Sequence, residues 1–225
     1  MRRIVVSEFI TLDGVIQAPG GPDEDRSGGF AHGGWLVPHS DETSGAAVDE
    51  ILAAPFDLLL GRRTYDIFAA HWPYAEANAA PEEGDRAIAR KFNAAAKYVA
   101  THAPDTLTWQ HSEALGPDIV TRLRELKQAD GPALLVYGSG VLVRTLLAND
   151  LIDTLHLFIF PIMLGKGKRL FDDGAVPAAF RLAKTVASAK GVVIASYERA
   201  GEVTTGSFAL ATPSEAEIAR RARNA

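Results

Sequence analysis

The sequence predicts an α/β fold: a central, mostly parallel sheet with helices on both faces and an antiparallel hairpin at its C-terminal edge. Three observations carry this. Short apolar runs recur along the chain, each followed by a turn of Gly, Asp or Thr and then by a helical pattern. The most regular of these units is Ala133 to Phe171. Near the end, Phe180–Val186 and Val192–Glu198 flank Lys190-Gly191, the mark of a hairpin.

The first strand is expected over Arg3–Phe9, and Thr11-Leu12-Asp13-Gly14-Val15 supplies the turn after it, because Asp and Gly both tolerate positive φ. Residues 17 to 41 carry three Gly-Gly pairs and no periodicity. A loop this long in a compact domain tends to be functional or mobile. Its large rings are Phe30, His32 and Trp35, and Trp35 is expected either to anchor the loop by packing or to wall a pocket.

A helix is expected from Ser40 to Ala54, capped by Asp41 or Thr43 and ended by Pro55. Phe56–Leu60 reads as a buried strand, and Gly61-Arg62-Arg63-Thr64-Tyr65 opens the next helix. Two arginines and a threonine at a strand-to-helix turn suit an anion, since Arg offers a planar fork matched to phosphate. They are also what a solvated helix start contains. Asp85 to Ala96 reads as a helix, Lys97–Thr101 as a strand ending at Thr101-His102, Thr106–Gln110 as a short strand, and Pro117 to Lys127 as a helix.

In the organising unit, Ala133–Tyr137 is an apolar strand. Gly138-Ser139-Gly140 follows at once, and Val141 to Leu147 is amphipathic. Glycines let backbone approach a ligand, and the helix behind them offers free N–H groups and a positive dipole end. A Gly-x-Gly turn alone is equally a tight βα connection. It is neither the full dinucleotide fingerprint nor a P-loop. Leu155–Ile162 is a second apolar run, ending at Gly165-Lys166-Gly167-Lys168. After Gly201, Val203–Leu210 is expected as a short edge strand and Pro213 to Asn224 as a charged helix. Residues 1–200 thus form one domain, with 201–225 as a C-terminal extension.

Composition narrows the function. The chain has 225 residues and no cysteine, which removes disulfides and Cys-based metal sites; no metal is expected. A net charge of −5 argues against a broad nucleic-acid face. The apolar residues after Met1-Arg2-Arg3 are too few for a signal peptide, and no run approaches the ~20 residues of a membrane span. A cytoplasmic protein with neither membrane nor nucleic acid as partner is the expectation.

Ligands of such sheets bind outside the carboxyl ends of the strands. Asp13-Gly14, Gly61–Thr64, Thr101-His102 and Gly138–Gly140 each follow a predicted strand, so four small, polar or basic turns converge on one edge.

With these motifs in place, the sequence resembles the dihydrofolate reductase-like superfamily. The nearest branch is the reductase domain of bifunctional riboflavin-biosynthesis deaminase-reductases. The resemblance rests on Thr11-Leu12-Asp13-Gly14, Gly61-Arg62-Arg63-Thr64-Tyr65, Tyr137-Gly138-Ser139-Gly140, and Leu151-Ile152-Asp153 running into Pro161–Gly167; it spans about residues 2 to 199. It implies a three-layer dihydrofolate reductase-like fold and NADPH as cofactor. Arg62, with Arg63 beside it, would meet the 2′-phosphate or pyrophosphate, and Thr64 the pyrophosphate. Thr101 and His102 would hold the adenosine end, and Gly138, Ser139, Gly140, Val141 and Leu142 the pyrophosphate. Asp13 and Gly14 would lie by the nicotinamide and its ribose, with Gly61 and Gly165 in the adjoining turns.

The sequence departs from true dihydrofolate reductases at the carboxylate of the first long helix. The matching position falls near Gly45, and Asp41, Glu42, Asp49 and Glu50 do not match it. The leading expectation is an NADPH-dependent reductase that transfers a hydride to a small heterocyclic or carbonyl-type substrate. The proton would come from water, from Asp13 or from a loop histidine (His32 or His39). Two alternatives stand beside it: the riboflavin-pathway 5-amino-6-(5-phosphoribosylamino)uracil reductase, and a nucleotide-binding protein without turnover. A homodimer is expected through Leu155–Ile162, Met163-Leu164 and Val192–Ile194, since a large apolar patch left on a monomer usually marks an interface.

Overall fold

A computed structural model describes residues 1–76, 83–171 and 175–223. Eight strands form one sheet in the order β4-β3-β2-β5-β1-β6-β8-β7. They are β1 (Ile4–Thr11), β2 (Phe56–Gly61), β3 (Lys97–Ala100), β4 (Ser112–Ala114), β5 (Ala133–Tyr137), β6 (Thr154–Phe160), β7 (Phe180–Ala187) and β8 (Val193–Arg199). The six strands from β4 to β6 run parallel, and β8 and β7 add antiparallel to β6.

Helices cover both faces. On one, α5 (Ile119–Gln128) and α6 (Gly140–Ala148) send Leu123, Leu126, Leu142, Val143 and Leu146 onto Ile4, Val6, Ile10, Leu134 and Val136. On the other, α1 (Glu42–Ile51), α2 (Arg62–Ala69), the short α3 (Trp72–Ala75) and α4 (Glu83–Ala94) pack over the sheet; Leu52, Tyr65 and Phe92 meet Leu58, Leu60, Val99 and Leu135 there. The predicted layers follow from this two-sided burial, which makes the central strands continuous apolar runs.

Local signals set most boundaries. Asp41 caps α1 by accepting from the Ser44 amide at 3.0 Å, and the Ser44 hydroxyl accepts from the Asp41 amide in return. The cap bonds hold the Asp41 carboxyl at about 2, against a smaller opposing effect of desolvation. Asp118 caps α5 by accepting from the Thr121 amide at 3.0 Å. β1 runs two residues past its expected end, because β6 continues to pair with it as far as Thr11 and Phe160.

Two expectations fail. Thr106–Gln110 is not a strand: a 3₁₀ turn covers Pro104–Thr106, and the Trp109 amide donates to the Tyr65 hydroxyl at 2.8 Å. The strand there is β4, a few residues later. Val203–Leu210 is not an edge strand either; it is irregular and exposed, with no face to bury. The terminal helix, α7 (Glu215–Arg223), has no buried residue.

Trp35 anchors the loop of residues 17 to 41. Its ring meets Phe160 edge-on at 5.2 Å, and its Nε1 donates to the Gln17 carbonyl at 2.8 Å. The run expected at a dimer surface, Leu155–Ile162, is largely internal. β6 lies between β1 and β8, with Phe158 and Phe160 buried.

Candidate active site

β5 pairs with β1 only as far as Ser7 and Tyr137, and then turns away at Gly138. From Glu8 onward, β1 is paired on its β6 side alone. A cleft of about 1800 Å³ opens where the two strands part.

One half of the cleft is glycine-rich and basic. α2 and α6 both begin here, and neither carries a side-chain cap. Ser139, at φ 66°, turns the chain into α6, and its hydroxyl accepts from the Gly61 amide at 2.9 Å. The two helix starts are thereby locked together with their first amides unused by any cap. A Cβ on Gly140 would come within 2.7 Å of Ile16 Cδ1, so the helix start and the wall behind it touch. Arg62, Arg63, Arg144, Lys168 and Arg169 line this half. Free amides at two helix N-termini ringed by cations suit a polyanion.

Arg62 ties the predicted turns together. Its Nε donates to Asp66 at 2.9 Å, while its Nη1 donates to Thr101 Oγ1 and the Ala103 carbonyl, each at 3.2 Å. Arg63 is more exposed and donates to Ser27 Oγ at 3.0 Å and to Asp25 at 3.3 Å. Asp25 also pairs with Lys168. Burial pushes the Asp25 carboxyl up, but Lys168 and Ser27 outweigh that and hold it at about 2.

Gly61, Arg62, Arg63, Thr64, His102, Gly138, Ser139, Gly140, Val141 and Leu142 all line the cleft, whereas Asp13, Gly14, Thr101 and Gly165 are not part of its lining. Asp13 holds two distant motifs together. Its carboxylate accepts from the Leu164 amide at 3.2 Å, the Gly165 amide at 2.8 Å and the Thr11 hydroxyl at 2.6 Å. Burial pushes the Asp13 carboxyl up, yet the Thr11, Leu164 and Gly165 donors outweigh it and hold it at about 2. A group so held keeps its charge at neutral pH and has no proton to give.

The other half is aromatic and lies against α1. Phe9, Tyr137, Phe160, Phe92 and Trp72 line it with Ser44, Val48, Asp49 and Leu52. Phe9 sits 6.0 Å from Tyr137 and 6.1 Å from Phe160 between ring centroids. Gly45 stands on the α1 wall, so no carboxylate occupies the position expected by analogy. Asp49, one helical turn later, lines the same wall.

Sequence reasoning missed Glu8 and Tyr137. Glu8 is 2% exposed, and its Oε1 has no hydrogen-bond partner among the described residues; the same holds for Tyr137 Oη. Burial raises the Glu8 carboxyl well above its ordinary range. Burial also pushes the Tyr137 phenol up to about 12, and the nearby Ser7 opposes this. A signal was present: Glu8 is the one charged residue inside the run Ile4–Ile10.

The comparisons agree with this architecture. The model of the RibD C-terminal domain matches residues 2–194. "Uncharacterized protein YyaP" of Bacillus subtilis (strain 168) is 24% identical over 196 residues, covering 87% of this chain and 94% of its own. A "Putative riboflavin biosynthesis protein" from Shewanella sp. PV-4 superposes with a TM-score of 0.59 at 22% identity, over 89% of this chain and 99% of its own. A diaminohydroxyphosphoribosylaminopyrimidine deaminase/5-amino-6-(5-phosphoribosylamino)uracil reductase from Thermotoga maritima gives 0.56 at 17% identity. There the match takes in 88% of this chain and 57% of the other. The fold is therefore dihydrofolate reductase-like, and the chain belongs to the RibD C-terminal domain family.

Proposed function

We propose that this protein is an NADPH-dependent reductase of a small, planar, uncharged heterocycle or cyclic carbonyl compound. The carrying observation is the division of one cleft into a basic, amide-rich half and an aromatic half. The first half fits a dinucleotide. Gly138–Leu142 and Thr64 would take the pyrophosphate on free helix amides, Arg62 and Arg63 the 2′-phosphate, and His102 the adenosine end. NADPH, when bound, supplies the hydride. The protein's part is to position the two reactants, exclude water and place a proton.

The aromatic half supports an uncharged substrate. Its described lining, from Phe9 and Tyr137 to Val48 and Trp72, contains no Lys or Arg. Membership in the RibD C-terminal domain family favours a second reading, reduction of 5-amino-6-(5-phosphoribosylamino)uracil in riboflavin synthesis. That substrate carries a phosphate and needs a cation of its own; Lys168 and Arg169, in the lining of the same cleft, are candidates.

One experiment separates these readings. NADPH oxidation is followed with 5-amino-6-(5-phosphoribosylamino)uracil and with a panel of unphosphorylated cyclic carbonyl and imine compounds. Turnover confined to the phosphorylated compound selects the second reading. No oxidation with any of them, combined with tight NADPH binding, leaves a nucleotide-binding protein without turnover.

A further inference from the structure

The basic half of the cleft already holds an anion of its own. Lys168, after β6, and Arg63, in the first turn of α2, both reach the carboxylate of Asp25 in the loop of residues 17 to 41. All three residues line the cleft. The Ser27 amide donates to the same carboxylate at 3.0 Å. Two cations and an N–H around one carboxylate are the donors a phosphate would ask for. Asp25 occupies them. Its side chain is 9% exposed, and its carboxyl, held at about 2, keeps its charge at neutral pH.

An exposed ion pair usually contributes little, because two long side chains must be ordered to make it. Here one buried side chain fixes the backbone on both sides of the pair. Gln17, 5% exposed, donates to the Asp25 and Ser27 carbonyls, each at 3.0 Å, and accepts from the Lys168 amide at 3.0 Å. The backbone of Asp25 cannot swing away from Lys168 without breaking these bonds. Other cations of the lining are engaged as well: Arg62 with Asp66, and Arg169 with the carbonyls of Asp13 and Gly165. Asp23 and Glu24 also line the cleft, so three acids in succession belong to this wall.

We propose that Asp25 is the specificity-determining residue of this cleft: it withholds Lys168 from a phosphate on the substrate. This rests on the reductase reading above and narrows its substrate to an unphosphorylated compound. A phosphate monoester carries roughly −1.5 to −2 charges at neutral pH. To reach Lys168 it must displace the Asp25 carboxylate, whose backbone stays where Gln17 holds it, so like charges are left side by side. A binding site discriminates by such repulsion of the wrong ligand as well as by attraction of the right one. An uncharged substrate meets no such penalty. Nor does the cofactor: Arg63 engages Asp25 and Ser27 through Nη1, and a guanidinium has further N–H groups for the 2′-phosphate.

The test compares wild type with Asp25→Asn and Asp25→Ser by calorimetry, each saturated with NADP⁺, which has no hydride to deliver. The probes are 5-amino-6-(5-phosphoribosylamino)uracil and the same compound without its phosphate. Both variants should bind the phosphorylated probe about tenfold or more tightly than wild type does, and the other probe within about twofold of it. Adding Lys168→Met to Asp25→Asn should erase the gain, because Lys168 is the cation released. No gain in either variant, an equal gain for both probes, or a gain that survives Lys168→Met overturns the inference. Circular dichroism accompanies each titration; if both variants have lost the folded signal, Asp25 is structural and the inference falls. Wild-type turnover of the phosphorylated probe, at a rate no lower than for the unphosphorylated panel, overturns the inference and leaves the reductase reading standing. A wild type that reduces nothing ends the reductase reading, while the binding comparison still decides whether Asp25 withholds Lys168.

Discussion

The Gly61 amide donates to the Ser139 hydroxyl at 2.9 Å, joining positions 78 residues apart and setting the N-termini of α2 and α6 side by side. Ser139→Ala removes the acceptor and leaves a half-buried amide unsatisfied. That costs about 1–3 kcal/mol. Urea titration should show the lower midpoint, and nucleotide titration a weaker affinity, because the two phosphate-facing helix starts lose their common brace. Unchanged affinity would mean that the helix starts do not act together.

Gly140 offers a cleaner probe of the turn than Gly138. Gly138 has φ +60°, so any side chain there is strained and folding suffers along with binding. Gly140 has no such constraint, and its added Cβ would press on Ile16 Cδ1, the mobile end of a side chain in the cleft. Gly140→Ala should therefore keep its circular dichroism and melting point and bind nucleotide about tenfold more weakly, roughly 1.4 kcal/mol. Normal binding makes the turn merely structural.

Arg62 and Arg63 should select NADPH over NADH, since a 2′-phosphate rewards a charged donor. Arg62→Ala is expected to weaken NADPH by about 1.5–3 kcal/mol, and NADH by less. It also frees Thr101 Oγ1 and the Ala103 carbonyl, so a small drop in Tm should accompany it. Arg63, 62% exposed, should matter less. Titration with both nucleotides checks this; equal wild-type affinities would sink it.

Asp13 should act through stability rather than chemistry. Its folded-state carboxyl is lowered from 3.8 to about 2. The stabilisation is therefore complete above the unfolded value and is lost as pH falls from there through the folded one. Asp13→Asn should destabilise at neutral pH and converge on wild type in acid. The measurement is melting temperature against pH for both proteins. A constant difference down to the lowest pH would contradict it.

We propose self-association through the β7–β8 hairpin, since β6 is internal. Leu182, Val186 and Val193 are 49%, 38% and 39% exposed on it. Light scattering at micromolar concentration should give twice 24.0 kDa, and the pair Leu182→Lys and Val186→Lys should return the monomer. A wild-type mass that stays at the single-chain value on concentration rules the dimer out.

Periodicity and turn chemistry are local, and they were legible. The apolar runs gave β2, β3, β5 and β6, the cap at Asp41 gave the start of α1, and Gly191 gave the hairpin. The glycine turn and the arginines at 62 and 63 could be read as anion sites because helix N-termini and glycines act within a few residues. Thr106–Gln110 was misread because the Tyr65 hydroxyl, far away in sequence, satisfies the Trp109 amide. The task of Asp13 was invisible for the same reason: its partners, Leu164 and Gly165, arrive only when β1 and β6 pair. Glu8 is the limiting case. The sequence shows an acid in an apolar strand, but only tertiary structure decides whether that acid finds a partner. Here β5 turns away at Gly138, and the carboxyl lies buried in the lining of the cleft with its Oε1 unpartnered among the described residues.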